Sequence, residues 1–141
     1  MLYLGAGALV KRYIEEEHSV ATKRAITQVN QVSFAVVGYT EARAAFARRA
    51  RSGDLTEKDL AEVVGALDAD MSAFLRTDVD ESVARVAGVL AQQHGLRGLD
   101  AIHLAAALLL QRDRGDVSFL TFDKRLNQAA STILPLQPIN H

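Results

Sequence analysis

The sequence predicts an α/β fold: a three-layer α/β/α sandwich around a mainly parallel sheet. Three observations carry this. Short apolar runs alternate along the chain with longer segments whose apolar residues recur at helical spacing. The runs are continuous rather than alternating, as strands covered on both faces require. Finally, no Pro/Gly/Ser linker, repeat or low-complexity stretch divides the 141 residues, so a single domain over residues 1–141 has enough chain to build its own core.

The elements follow in order. Residues 2–4 (Leu-Tyr-Leu) read as a short buried strand. Leu9, Val10, Tyr13 and Ile14 mark a helix over 8–17, with Glu15, Glu16 and Glu17 as its exposed end, where the macrodipole slightly disfavours them. A second helix is expected over 19–29. The apolar, valine-rich run 32–37 reads as a second buried strand. An Ala- and Arg-rich helix follows over 40–51, ended by Gly53. Thr56-Glu57-Lys58-Asp59 has the form of a capping box opening a helix to about residue 75. A short third strand is expected at 76–79. Asp80 caps a helix that Gly95 stops after His94. Residues 100–112 form a very apolar helix, 117–122 a strand, 124–130 a short helix and 133–136 an edge strand. Pro135 and Pro138, the only prolines, mark an irregular tail.

Composition removes several function classes. Apolar residues are 49% and charged residues 23%, ordinary globular usage. The net charge of −1 gives no global attraction to nucleic acid or membrane, so affinity for RNA must come from local basic patches. With no cysteine, disulfides and thiolate metal sites are excluded, and any metal site must use oxygen or imidazole, which favours Mg²⁺ or Mn²⁺. The longest apolar run, residues 104–110, is too short to span a bilayer. The opening residues read as a strand rather than a signal peptide, so a cytoplasmic location is expected.

Chemistry concentrates at three acids where elements meet: Glu41 and Asp123, each after a strand-like run, and Asp100, which opens the apolar helix. Taken singly, each is a cap or first-turn acid at a helix N-terminus. Taken together they differ, because ligands in parallel sheets collect beyond the carboxyl ends of the strands. Several carboxylates gathered there repel one another unless a cation neutralises them. A carboxylate-bound Mg²⁺ activates water and stabilises charge on a phosphoryl oxygen. No P-loop or Ser-His-Asp pattern competes.

Several segments, in order, carry a resemblance. They are Leu2-Tyr3-Leu4-Gly5-Ala6-Gly7-Ala8-Leu9-Val10-Lys11-Arg12-Tyr13, then Glu41 in its Ala/Arg helix, then Leu96-Arg97-Gly98-Leu99-Asp100-Ala101-Ile102-His103-Leu104-Ala105, and last Leu120-Thr121-Phe122-Asp123-Lys124-Arg125-Leu126. Together they resemble a PIN domain of the VapC type, over nearly the whole chain. The resemblance implies a Mg²⁺- or Mn²⁺-dependent endoribonuclease toxin, a small antitoxin partner and a homodimer. It also implies an acidic quartet at positions 5, 41, 100 and 123. Three of these match: Glu41, Asp100 and Asp123. Gly5 stands where the family has Asp, and Gly7 where it often has Ser or Thr. The missing ligand lowers the expected metal affinity, and two glycines loosen the turn. Asp→Gly and Ser→Gly each need one base change. The pair therefore reads either as a natural degenerate copy or as inactivating changes selected against a toxic product.

Other residues have less specific readings. His103 lies one helical turn from Asp100; a satisfied core or site-rim histidine is the simpler reading than a metal ligand. Arg43, Arg48, Arg49 and Arg51 read as a solvated helix face. Arg97, Lys124 and Arg125, beside the acids, and Lys11, with Arg12, are the candidates for contacting RNA phosphates. The first two helices carry apolar surface that a dimer or antitoxin could cover. Two rivals to the nuclease remain: a PIN-fold binding protein that engages antitoxin or RNA without cleavage, motivated by Gly5 and Gly7, and a phosphohydrolase on a similar sheet, against which Gly5 speaks.

Overall fold

The apolar runs form the strands of one parallel sheet, in a computed structural model that describes residues 1–138; residues 139–141 of the expected domain lie outside the described residues. The strands are β1 (Leu2–Leu4), β2 (Val32–Ala35), β3 (Leu75–Thr77) and β4 (Ser118–Leu120), in the order β3-β2-β1-β4. The register pairs Tyr3 with Ser33 on one side and with Phe119 on the other. β1 and β2 are buried along their whole length, which is why their sequences are continuously apolar or small.

Helices cover both faces. α1 (Ala6–Tyr13), α2 (Ser19–Thr27), α3 (Val37–Arg51) and α4 (Glu57–Met71) connect β1 to β2 and β2 to β3. Their buried residues Leu9, Phe46 and Leu67 share a core with Leu2, Leu4 and Phe34. α5 (Glu81–His94), α6 (Gly98–Arg114) and α7 (Lys124–Ser131) cover the opposite face, where Leu90, Leu104 and Leu126 meet Tyr3 and Phe119. Leu2 and Leu4 therefore face one core and Tyr3 the other, the two-residue alternation of a strand. The expected three-layer sandwich is what the chain forms. After β3 the chain returns across the sheet to place β4 beside β1, so the winding reverses between β1 and β4. That reversal is where such sheets open a crevice.

Caps behave as read from the sequence at several ends. Thr56 and Asp59 form the reciprocal capping box of α4. Asp80 accepts from the Val83 N–H at 3.0 Å, and Gly95 ends α5 in the left-handed region (φ 64).

Several boundaries differ from those expected: α2 ends at Thr27, α4 at Met71, β3 spans Leu75–Thr77 and β4 Ser118–Leu120. α1 stops at Tyr13, because Ile14 turns extended (φ −115, ψ 131) and inserts into the core, 4% exposed. Ser19 secures that turn: its hydroxyl donates to Ile14 O at 2.8 Å and accepts from the Glu16 N–H at 2.9 Å. Glu15, Glu16 and Glu17 thus lie beyond the helix and do not oppose its dipole. β2 ends at Ala35 and α3 starts at Val37, so Val36 and Val37 leave the sheet despite their strand-favouring side chains. α6 starts at Gly98, two residues before Asp100. The 133–136 edge strand is a single parallel bridge between Phe119 and Leu136. Pro135 supplies a carbonyl to Phe119 N–H at 2.9 Å but has no N–H to extend a ladder.

Candidate active site at the carboxyl edge of the sheet

The carboxyl ends of β1 and β4, where the winding reverses, lead into position 5 and the segment from Leu120 to Asp123. Gly5 follows β1 directly, is buried, and donates its N–H to Leu120 O at 3.0 Å. It is the N-cap of α1, with no side-chain cap, in an extended conformation (φ −67, ψ 167) open to any residue. A Cβ there would meet Leu120 O at 3.5 Å, Thr121 Cβ at 3.6 Å and Thr121 Oγ1 at 3.7 Å, all ordinary contacts. Nothing in the backbone or the space demands glycine. Gly7 is exposed, and a Cβ there would meet nothing within 4 Å.

Asp123 caps α7, accepting from the Leu126 N–H at 2.9 Å, while its own N–H donates to Thr121 Oγ1 at 3.3 Å. Asn127 holds the same turn by donating to Thr121 O at 2.9 Å. Thr121 therefore both shapes the Asp123 turn and faces position 5, a role the sequence reading missed: in Leu120-Thr121-Phe122 it reads as one more strand residue.

Asp100 lies in the first turn of α6 rather than at its cap, which is Arg97. Its carboxyl is pushed above the usual carboxylate range, first by burial, then by the negative charge of Asp123 and, more weakly, of Glu41; His103 and Arg97 act in the opposite direction. The three acids thus share one electrostatic neighbourhood, although Glu41 arrives from the second turn of α3 rather than the first. There the helix N-terminus no longer favours its charge appreciably.

Glu41 has a partner instead. Its Oε1 lies 2.6 Å from His103 Nε2, and His103 is 1% exposed. The other ring nitrogen, Nδ1, lies 3.1 Å from the Tyr3 hydroxyl, which also accepts the Ala35 N–H at 3.1 Å. His103 is a satisfied core histidine, as the simpler reading expected. Gly38, one turn before Glu41, seats it: a Cβ there would lie 3.6 Å from His103 Cε1 and only 3.3 Å from Phe34 Cδ2. Tyr3 gave no sign in the sequence, because its hydroxyl sits inside an apolar strand.

The donors suit Mg²⁺ or Mn²⁺ in kind, being all-oxygen and mutually repelling. They fall short in number. Among the described residues no three His, Asp or Glu side chains are grouped to hold one ion. Gly5 lacks a side chain, and Glu41 is engaged by His103.

The basic candidates divide. Arg97 acts on Asp100 as just described. Lys124 and Arg125 are exposed on the first turn of α7, and Arg125 donates to Gly95 O at 3.3 Å. Lys11 pairs with Glu16 at 3.1 Å and lies over the Phe122 ring, 5.4 Å from its centroid, beside the Asp123 turn. His18 stacks on the Phe122 ring, with centroids 4.6 Å apart. Arg12 points away to Asp70 on α4, at 2.9 Å. Arg43 donates to the Tyr39 hydroxyl at 3.0 Å, and Arg49 pairs with Asp54 at 3.0 Å and with Glu16 at 3.8 Å, so these two α3 arginines are engaged within the chain. Residues 105–107 are buried core, while Val20 on α2 is 66% exposed. Among the described residues no helix is long and apolar enough to cross a membrane.

Comparison with known proteins agrees with this architecture. Residues 3–131 match the PIN domain. Ribonuclease VapC45 of Mycobacterium tuberculosis (strain CDC 1551 / Oshkosh) is 33% identical over 132 residues, 92% of this chain and 89% of the relative. Among solved structures, M. tuberculosis VapC20, described as a sarcin-ricin loop cleaving toxin, superposes with TM-score 0.69 at 13% identity over 98% of this chain and 100% of that one. A toxin-antitoxin complex from Klebsiella pneumoniae contains a chain matching with TM-score 0.66 at 16% identity, covering 90% of each. At those identities the structures speak for the fold alone. With a sheet reversed between β1 and β4, acids at its carboxyl edge and one-third identity across nearly its whole length, the chain belongs to the PIN-domain family, among the VapC-like toxins.

Proposed function

We propose that this chain is an endoribonuclease toxin of a toxin–antitoxin pair, dependent on Mg²⁺ or Mn²⁺, with an activity weakened by Gly5 and Gly7. The observation that carries this is the placing of Asp100 near Asp123 and Glu41 at the carboxyl edge of the sheet, where burial first, then the charge of Asp123 and more weakly that of Glu41, raise its pKa. The identity to a VapC ribonuclease supports RNA as substrate. Asp100, Asp123 and Glu41 are the acids that would hold the ion, too few as grouped in this chain and completed by a carboxylate at position 5; the ion would then supply a polarised water and charge stabilisation at phosphorus. The chain's own residues do the rest. Arg97, Lys124, Arg125 and Lys11 bring positive charge beside the acids to draw in and orient a phosphodiester. A small antitoxin is the expected protein partner, supported by the fold shared with a toxin-antitoxin complex. A cytoplasmic homodimer completes the reading; light scattering tests its mass.

The test sets the chain beside a Gly5→Asp, Gly7→Ser variant, each with RNA and Mg²⁺ or Mn²⁺. Cleavage by the variant, weaker cleavage by the parent and loss of both on Asp100→Asn is the expected pattern. An inert variant on every RNA tried removes the nuclease reading. A second reading, binding of antitoxin or RNA without cleavage, is favoured by the missing ligand at position 5; cutting by the unaltered chain, abolished by Asp100→Asn, excludes it.

A further inference from the structure

Basic side chains also gather beside the acids, away from the carboxyl groups themselves. α1 packs against α3, and a cleft of about 240 Å³ opens where the two helices part. Its walls follow helix periodicity. On α3, Ala45 and Arg48 lie four and seven residues after Glu41 and share its face, so Arg48 sits about 10 Å along the axis from Glu41. On α1, Gly7 and Lys11 are one turn apart. Small residues keep the passage open: Ala45 carries only a methyl group, and a Cβ at Gly7 would meet nothing within 4 Å. The cleft adjoins the acids, because Lys11 lies over the ring of Phe122, the residue before Asp123.

The guanidinium donors at the far end of the cleft are unspent. Arg48 is exposed and makes neither an ion pair nor a hydrogen bond among the described residues. Arg49 lies 3.0 Å from Asp54 and 3.8 Å from Glu16, yet its guanidinium donates no hydrogen bond among the described residues, and its buried Nε is left unsatisfied. Glu16, which holds Lys11 at 3.1 Å, sets one carboxylate in the lining against three cations. A guanidinium gains most from an oxyanion that accepts two of its N–H groups at once, as a phosphate does. Proteins that bind single strands line the path of the backbone with such cations. Arginines in the last turns of α3 also suit the helix macrodipole, a role that calls for no ligand, and the experiment separates the two. We propose that this cleft is a subsite for an RNA backbone phosphate flanking the scissile one, held by Arg48 and Arg49. The proposal rests on RNA being the substrate and extends that reading from the acids to the neighbouring stretch of strand. Phosphate contacts carry no base information, so the grip is independent of sequence.

Binding of a fluorescein-labelled single-stranded RNA is followed by fluorescence anisotropy in EDTA, where no cleavage intervenes, across a series of NaCl concentrations, with folding checked by circular dichroism. Each phosphate charge neutralised contributes about 0.7 to the slope of log affinity against log salt for single strands. Arg48→Ala and Arg49→Ala are each expected to lower the slope by about that amount and to weaken binding alike for RNAs of different sequence. Arg48→Lys, which keeps the charge, is expected to keep the slope. Arg112→Ala removes an exposed arginine from the last turn of α6, about 18 Å along that helix from Asp100, and is expected to change neither slope nor affinity. Folded Arg48→Ala and Arg49→Ala proteins that bind RNA with the parent's slope overturn the subsite and leave the RNA reading standing. An equal loss in Arg112→Ala marks general charge attraction and overturns it too. Competition by poly-glutamate as effective as by unlabelled RNA points to an acidic peptide and likewise overturns it. If the parent binds no RNA at the lowest salt, the subsite and the RNA reading fall together.

Discussion

Restoring a carboxylate at position 5 is the sharpest perturbation the structure offers. The Gly5 backbone is extended (φ −67, ψ 167), and a Cβ would make contacts no closer than 3.5 Å, so the backbone and the Cβ of Gly5→Asp need no rearrangement. At the N-cap of α1, exchanging Gly for Asp changes stability by only a few tenths of a kcal/mol. The positive end of the helix favours the new charge by about 0.3–1 kcal/mol. Repulsion from the acids of the site opposes it by a similar amount, about 1 kcal/mol for a wet pair near 4 Å. The terms nearly cancel, so in EDTA the variant is expected to melt within a few degrees of the parent. Metal breaks the balance. At a free Mn²⁺ concentration 100 times its dissociation constant, the folded state gains about 2.7 kcal/mol. For a domain of this size that is a shift on the order of 10 °C. Thermal melts of parent and variant, with EDTA and across a Mn²⁺ series, read this directly. A variant that is several kcal/mol less stable in EDTA would refute the claim that position 5 has room. Equal Mn²⁺ shifts in both proteins would refute the claim that position 5 belongs to a metal site.

Three further outcomes follow from the same structure. Asp100 has its pKa raised in the folded state, so the native protein binds more protons than the unfolded chain. Its penalty is present at neutral pH and is relieved as pH falls through the raised pKa toward the unfolded value. Asp100→Asn is expected to stabilise the metal-free fold at neutral pH, flatten the acid limb of the stability profile and abolish cleavage. Asp123 combines a helix cap with a charge: Asp123→Asn keeps the cap to Leu126 and loses activity, whereas Asp123→Ala loses both, with about 1 kcal/mol of stability measured by urea unfolding. Gly65 in α4 and Gly88 in α5 have open space where a Cβ would go, so each Gly→Ala is expected to add about 0.5–1 kcal/mol without changing Mn²⁺ binding.

Much of this was legible in the linear pattern. Strand identity came from continuous apolar runs, because a parallel sheet covered on both faces leaves no polar alternation. The caps at Thr56, Asp80 and Gly95 were readable because a cap is a local hydrogen-bond problem solved within a few residues. Asp123 was readable for the same reason. Boundaries went astray where distant packing overrode local preference. Val36 and Val37 favour a strand, yet the chain must turn into α3 once Ala35 is paired with Thr77. Ile14 continues a helical pattern, yet the core draws it out of α1.

The acids at 41, 100 and 123, and the glycines at 5 and 7, were set by residue type alone, since charge and the lack of a side chain do not depend on folding. What those residues meet was decided only by the tertiary structure. The Tyr3–His103–Glu41 line joins β1, α6 and α3, spanning 100 residues between Tyr3 and His103. No local pattern records it, because a buried polar group is satisfied by whatever the fold brings within 3 Å, and sequence neighbours say nothing of that. The room at Gly5 likewise depends on where Leu120 and Thr121 come to rest beside β1.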